Sequence, residues 1–278
     1  MPNNPIDIKA YLTRINYDGR STTPPTLQTL ERLQFCHACS IPFENLDVVL
    51  AKPISLDLPS LEQKLITSNR GGYCFEQNGL FIEVLKAIGF EVLSLSARVR
   101  FSLPRSEVPQ RTHLFAKVTI DQVPWLVDVG VGGFTPTAPL RMDTAEPQRT
   151  PHDMRRIVPD DTLGKDHVTR WFHQVLIADQ WQDIYDFTGE EMHPIDQRLA
   201  NWWTSTHPDS KFRQKIMAAI ASPDGSRHTL STREYTHRRQ SEILCQEPIE
   251  SNTHLTHILQ RHFGIALPTN TTFPLYTP

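Results

Sequence analysis

Cysteine is scarce in this chain: 278 residues contain four, Cys36, Cys39, Cys74 and Cys245. So few exclude a disulfide framework, and free thiols suit a reducing compartment. No apolar run approaches the ~20 residues that a membrane-spanning helix needs. The opening residues, Met1-Pro2-Asn3-Asn4-Pro5, hold neither a basic region nor an apolar stretch, so no secretory signal is expected. Positive charge is not in surplus either. A formal net charge of −3 and a pI near 6.5 argue against nucleic acid as a partner. Repeats and low-complexity tracts are missing. A cytoplasmic protein long enough to bury a full core in two or three domains is the expectation.

Two partial motifs exclude more than they suggest. Cys36-His37-Ala38-Cys39 lacks the second closely spaced ligand pair of a structural zinc site. It follows Leu27, Leu30 and Leu33, with Thr26 as N-cap, so it falls at the end of a helix and both cysteines read as packing residues. No metal is expected. Gly130-Val131-Gly132-Gly133-Phe134 resembles a dinucleotide fingerprint, but Pro136 and Pro139 follow where a helix would have to open. It is either a tight turn or a loop that lets backbone approach a ligand.

What the chain does contain is one well-placed cysteine. In Asn69-Arg70-Gly71-Gly72-Tyr73-Cys74-Phe75-Glu76-Gln77-Asn78-Gly79, the paired glycines break the preceding segment. Phe81, Val84, Leu85 and Ile88 then recur at helical spacing, and Gly89 supplies a stop. Cys74 thus falls at a helix N-terminus, where unpaired N–H groups and the helix dipole favour thiolate over thiol. The alternative is a small buried core cysteine, a common residue in any interior.

A thiol nucleophile needs a base and a group that orients the base. In Arg111-Thr112-His113-Leu114-Phe115-Ala116-Lys117-Val118-Thr119-Ile120, the apolar residues Leu114, Ala116, Val118 and Ile120 alternate, which reads as a strand with one buried face. Asp121-Gln122 is a two-residue turn, and Trp125–Val129 returns, with Pro124 tolerated only near a strand start or edge. This register sets Phe115 opposite Asp128. His113 shares the Phe115 face, so Asp128 is its diagonal neighbour at roughly 7–8 Å between backbones. Each residue also has an ordinary structural reading, and the joint order of Cys, His and Asp is what points to catalysis.

The remaining pattern divides into helices, then strands, then a mixture. Helices are expected around Ile6–Ile15 and Leu27–Cys39, from Ser60 (with Gln63 completing a capping box), and after Cys74. Strands are expected at 93–101, where Leu93, Leu95, Ala97, Val99 and Phe101 alternate with polar residues, and at Val168–Ile177 and Trp181–Phe187. Pro136, Pro139, Pro147, Pro151 and Pro159 suggest an extended loop over 135–165. A helix near Phe212–Ile220 and a strand at Arg227–Ser231 close the chain. The class is α+β. Glu44 between Phe43 and Leu46, and Arg70 four residues before Cys74, are expected to pair as a structural salt bridge.

Arg70-Gly71-Gly72-Tyr73-Cys74-Phe75-Glu76 resembles the signature of the arylamine N-acetyltransferases, which carry a Cys-His-Asp triad. Ile41-Pro42-Phe43-Glu44-Asn45-Leu46-Asp47, Thr112-His113-Leu114, Val127-Asp128-Val129-Gly130 and Asn201-Trp202-Trp203-Thr204-Ser205-Thr206-His207-Pro208 resemble further segments of that family. The resemblance covers most of 5–215 and implies an N-terminal helical bundle (1–89), a central β-barrel (90–190) and a C-terminal α/β lid (191–278). It implies acetyl transfer from acetyl-CoA to an arylamine, arylhydrazine or N-hydroxyarylamine, with Cys74 as nucleophile, His113 as base and Asp128 as orienting carboxylate. The Phe75 N–H is an oxyanion-hole candidate. Phe43, Thr112, Gly130, Gly132, Gly133, Phe134, Trp203, Ser205 and Thr206 are the implied substrate and CoA contacts. No metal is implied, and the protein would be a monomer or homodimer. The same three residues would also serve a thiol hydrolase or transglutaminase, or an amide synthase with a carrier-bound acyl donor.

Overall fold

The computed structural model describes residues 5–18, 24–101, 103–160 and 170–274. Its first layer is helical. Asp7 caps α1 (Ile8–Arg14) by accepting the Ala10 N–H, and Thr26 caps α2 (Leu27–Ser40) by accepting that of Thr29. Next come β1 (Phe43–Glu44), α3 (Leu46–Val49), α4 (Leu58–Leu61), a wider π-type stretch at Glu62–Thr67, and α5 (Cys74–Ile88). The capping box expected at Ser60 and Gln63 does not form. Asp57 caps α4 instead and takes the Ser60 N–H, because Leu58-Pro59 starts the helix a turn earlier, where proline's missing donor costs nothing. α5 stops at Gly89 in the left-handed conformation, as its sequence predicts.

Eight antiparallel strands follow: β2 (Glu91–Val99), β3 (His113–Ile120), β4 (Val123–Val127), β5 (Leu140–Arg141), β6 (Gln148–Arg149), β7 (Met154–Pro159), β8 (Trp171–Ile177) and β9 (Gln180–Glu191). Their order is β5-β4-β3-β2-β9-β8-β7-β6. The sheet curls until its two edges meet. There the Gln148 carboxamide accepts the Arg141 N–H at 2.8 Å and donates to the Arg141 carbonyl at 2.9 Å, which seals a nearly closed barrel. The segment expected to be an extended loop over 135–165 therefore supplies β5, β6 and β7. Two of these strands have only two residues, and β7 turns a buried arginine inward, so no apolar alternation marks them. The strand read from 93 to 101 ends at Val99, and Arg100 is buried against Asp186. Val168 lies outside the described residues.

β3 also differs from its sequence reading: both of its faces are buried. Leu114, Ala116 and Val118 pack on α5, while Phe115 fills the barrel with Tyr185 and Phe187. A helical layer over the outside of the barrel is something strand alternation cannot report. The turn is as expected. Asp121 and Gln122 have φ of 50° and 65°, and Ala116 pairs with Val127 and Ile120 with Val123.

The last part holds α6 (Pro194–Thr206), α7 (Lys211–Gln214), β10 (Met217–Ala221), β11 (Ser226–Ser231), β12 (Glu234–Arg239), β13 (Glu242–Pro248) and α8 (Asn252–Phe263). A second sheet, in the order β1-β10-β11-β12-β13, is backed by Leu255, Ile258, Leu259 and Phe263 of α8. The helix expected over Phe212–Ile220 is split, because Met217–Ala221 forms the strand that joins β1 to β11. Sheet pairing on both edges overrides the helical propensity of Met-Ala-Ala-Ile-Ala. β1, from the first ninety residues, thus enters the sheet of the last ninety. Among the described residues, no helix is long and apolar enough to cross a membrane.

Candidate active site

Cys74 is the first residue of α5 and is 3% exposed. The loop before it runs tight against β1: the Glu44 N–H donates to the Gly72 carbonyl at 3.0 Å, and the Gly72 N–H to the Pro42 carbonyl at 3.3 Å. A Cβ on Gly71 would come within 2.0 Å of the Pro42 oxygen, so this crossing requires glycine. Glu76, the third helical residue, accepts the Tyr73 N–H at 3.0 Å and closes the helix start.

A chain of charges braces the loop from below. Arg70 donates from Nε (3.0 Å) and Nη2 (2.6 Å) to one oxygen of the fully buried Glu44. Asp47 lies 3.4 Å from Arg70, and Lys64 bridges Asp47 at 2.8 Å and Glu76 at 2.6 Å. Burial pushes the Asp47 carboxyl up, but Lys64 and Arg70 more than offset it and hold it below the usual range. Burial dominates at Glu76, whose carboxyl is raised even with Lys64 beside it. Removing one member would strand a buried charge, a cost of about 3–5 kcal/mol.

His113 and Asp128 meet inside the barrel mouth. His113 Nε2 lies 2.7 Å from Asp128 Oδ2, with both side chains essentially inaccessible. The other Asp128 oxygen accepts from Asn78 Nδ2 and the Gly130 N–H, each at 2.9 Å. The Cys74 thiol acts electrostatically on the His113 ring, and with Nε2 on Asp128 the nitrogen left for it is Nδ1. The thiol also lies 3.6 Å from the Thr112 carbonyl. Burial alone would lower the His113 value; the Asp128 carboxylate and then Cys74 outweigh it and lift it to about 10. Burial likewise opposes the charge on Asp128, yet His113 and the donors around it hold that carboxyl below its ordinary value.

The glycine loop is a structural neighbour of the thiol. A Cβ on Gly130 would sit 2.9 Å from the Cys74 Cα and 2.8 Å from Asn78 Nδ2. Gly130→Ala should therefore lower stability by about 1–3 kcal/mol, as overpacking does. It should also slow Cys74 alkylation beyond what the loss of folded protein explains. Thermal unfolding and mass-resolved alkylation, read together, check this. Gly132 (φ 74°) passes over the Phe43 ring, and Gly133 meets Thr229. Phe134 packs at a tilt against Phe101, with ring centroids 5.5 Å apart, and lies under the Arg238 guanidinium at 5.0 Å. A cleft of about 400 Å³, lined by Ser96, Arg111, Thr112, Met192, Asp196 and Leu199, borders the triad residues through Thr112.

The α6 candidates make most of their described contacts within their own helix and its end. Trp203 stacks on His207 at 5.1 Å, and the Ser205 and Thr206 hydroxyls donate to backbone carbonyls of their own helix. Ser205 also faces Tyr73. The tie to the site is Asn201, which accepts from the Tyr73 hydroxyl and donates to the Ile54 carbonyl. Phe75, second in α5, has its N–H in the first turn, where the helix offers no acceptor.

Sequence reasoning missed several supporting residues. Asn78 donates to Asp128 and to the Leu114 carbonyl (2.7 Å) and accepts the Val129 N–H (2.9 Å), joining α5 to both hairpin strands. Its position four residues after Cys74, on the same helix face, was the available signal. Gln34 donates to the Asp128 and Pro136 carbonyls, a contact across 94 residues with no local signature. Among the described residues, no group of three or more His, Cys, Asp or Glu is placed to hold a metal.

A thiol in the first turn of a helix, close to an imidazole–carboxylate pair at a barrel hairpin, is the kind of arrangement that acyl-handling thiol enzymes use. Comparison makes this specific. The family model described as N-acetyltransferase matches residues 26–272. An arylamine N-acetyltransferase / N-hydroxyarylamine O-acetyltransferase of Salmonella typhimurium is 37% identical over 260 residues, 94% of this chain and 89% of that protein. An arylamine N-acetyltransferase of Mycobacterium tuberculosis is 42% identical over 233 residues, 82% of this chain and 79% of its own. The solved Salmonella typhimurium enzyme superposes with a TM-score of 0.86 at 35% identity, covering 98% of this chain and 96% of that one. The Mycobacterium marinum enzyme in complex with CoA gives 0.85 at 37%, covering 93% of each. The chain belongs to the N-acetyltransferase family, among the arylamine N-acetyltransferases.

Proposed function

We propose that this enzyme moves an acetyl group from acetyl-CoA to the nitrogen of an arylamine or arylhydrazine, or to the oxygen of an N-hydroxyarylamine, through a Cys74 thioester. The carrying observation is the buried His113–Asp128 pair at 2.7 Å, with the Cys74 thiol at the start of α5 held at 3.6 Å from the carbonyl of Thr112, the residue before His113. Cys74, as thiolate beside protonated His113, attacks the thioester carbonyl of acetyl-CoA. The tetrahedral oxyanion collapses, and CoA leaves with a proton supplied by His113. The acceptor amine then attacks the Cys74 thioester while His113 takes its proton, and the thiolate is expelled. Asp128 keeps Nε2–H toward itself and so leaves Nδ1 facing the thiol. The Phe75 N–H is the oxyanion donor.

In this reading residues 1–89 carry the nucleophile, 90–190 the base and its carboxylate, and 191–278 a lid that excludes water. Phe43, Thr112, Gly130, Gly132, Gly133 and Phe134 shape the acyl and acceptor pocket. Trp203, Ser205 and Thr206 lie on the lid side, and Glu44 and Arg70 support the Cys74 loop. The enzyme works in the cytoplasm as a monomer or homodimer, without metal, nucleic acid or membrane.

Mixing protein with acetyl-CoA should add one acetyl group to Cys74 by intact mass, and an arylamine should discharge it. Two-substrate kinetics should give parallel double-reciprocal lines. Intersecting lines would mean direct attack in a ternary complex and would overturn the reading. Rapid loss of the acetyl group to water without an amine would favour a hydrolase. No acylation by CoA thioesters, with the triad intact, would favour a carrier-fed amide synthase.

A further inference from the structure

A second set of buried charges lies inside the barrel. Strand pairing places Ala97 opposite His113, Val99 opposite Tyr185, Tyr185 opposite His173 and His173 opposite Ile157, so His113, Tyr185 and His173 share the inward face. Arg155 is two residues from Ile157 on the same face. Tyr185, His173 and Arg155 are all fully buried. The Tyr185 ring centroid is 5.0 Å from His113 and 4.7 Å from His173, and its hydroxyl lies beside Asp128. Arg155 donates from Nε and Nη2 to the two oxygens of Asp153 and from Nη1 to His173 Nε2 at 3.1 Å. Asp153 also takes Arg227 at 2.9 Å. Arg155 of the barrel and Arg227 of β11 therefore share one carboxylate. The β8–β9 ladder slips register between His173 and Gln174, a bulge of the kind that re-aims a side chain.

We propose that His173 is a positioning residue: a neutral acceptor that engages the remaining Arg155 donor and keeps that guanidinium off Asp128, so that Oδ2 of the carboxylate stays with His113. The inference rests on the triad reading above. Because Arg155 donates to Nε2, His173 carries its proton on Nδ1. Charging the ring would set it against Arg155, and burial followed by Arg155 keeps its value far below the ordinary one. The groups facing it are His113 on β3, Asp128 after β4, Asp153 just before β7, Arg155 on β7, and Tyr185 on β9. Without an acceptor at position 173, a buried guanidinium donor is unpaired, and Asp128, whose charge reaches His173 as that of Arg155 does, is the carboxylate toward which it would turn. Arg155 paired with Asp128 would compete with the His113 ring.

The test uses the full-length enzyme with His173→Leu, His173→Gln, and the double variant His173→Leu/Arg155→Met. His113 is followed by ¹⁵N-resolved titration, and Cys74 acylation by acetyl-CoA in single-turnover mode. His173→Leu should lower the apparent His113 value by about one unit or more, a tenfold change in its protonation equilibrium. Acylation should slow by about tenfold, the scale of one buried hydrogen bond. His173→Gln keeps an acceptor and should recover most of both. The double variant removes the competing cation and should restore the His113 value. If the leucine and glutamine variants behave alike, or the double variant recovers nothing, His173 is only packing and the proposal falls. Should His173→Leu not fold, the wild type decides: His173 must hold an Nδ1–H tautomer without titrating from pH 5 to 9, and an Nε2–H form or a titration there overturns the proposal. Failure of wild-type Cys74 to acetylate at all would refute the triad reading instead, while the His113 titrations would still report on His173.

Discussion

Cys74→Ala should abolish acetyl transfer, by a factor on the order of 10⁶ if the loss matches removal of the nucleophile in a serine protease. No other group in the site can form the acyl bond. The thiol is small, and its described hydrogen bond is to the Thr112 carbonyl, so the variant should keep a wild-type circular dichroism spectrum and a cooperative melt. The other cysteines provide the contrast. Burial pushes the Cys39 thiol up to about 12 and raises that of Cys36. Cys36→Ser and Cys39→Ser should therefore retain turnover and lose stability at most. Cys245 is exposed and will alkylate as well, so labelling is best read by mass in a Cys245→Ser background. Appreciable turnover by Cys74→Ala would move the chemistry to another residue.

The parts of this site that were legible in sequence are those set by short-range geometry. A two-residue turn at Asp121-Gln122 fixes strand register, and that register, carried one residue past the end of β4, brings Asp128 to the His113 face. Helix periodicity after Cys74 and a glycine stop locate the thiol at an N-terminus. What stayed hidden depends on contacts across the chain. Arg155 and His173 look like ordinary polar strand residues, and only barrel closure turns them inward beside Tyr185. Met217–Ala221 favours a helix locally and becomes a strand because β1 and β11 are waiting on either side. Gln34 meets Asp128 across 94 positions, a distance no local pattern spans.

Asp128→Asn should keep the barrel and lose activity by roughly 10³–10⁴-fold, near the loss seen when the carboxylate of a serine-protease triad becomes an amide. An asparagine can turn its NH₂ toward Nε2 and force the proton onto Nδ1, the nitrogen that must accept from the thiol. The substitution also removes the charge that lifts His113. With a folded value of about 10 against about 6.5 in the unfolded chain, His113 stabilises the fold fully below pH 6.5, and this contribution disappears as the pH rises toward 10. Asp128 has the opposite sign: its depressed value stabilises the fold above pH ~4, and that part is lost as the pH falls through the folded value. The pair is therefore worth most between about pH 4 and 6.5. Wild-type melting temperature should decline from pH 7 to 10 more steeply than that of Asp128→Asn. Alkylation of Cys74 at pH 6–7 should be slower in the variant, since His113 no longer holds a proton opposite the sulfur. Parallel melting profiles together with unchanged alkylation would show that His113 is not held charged by Asp128, and the ion-pair mechanism would have to be abandoned.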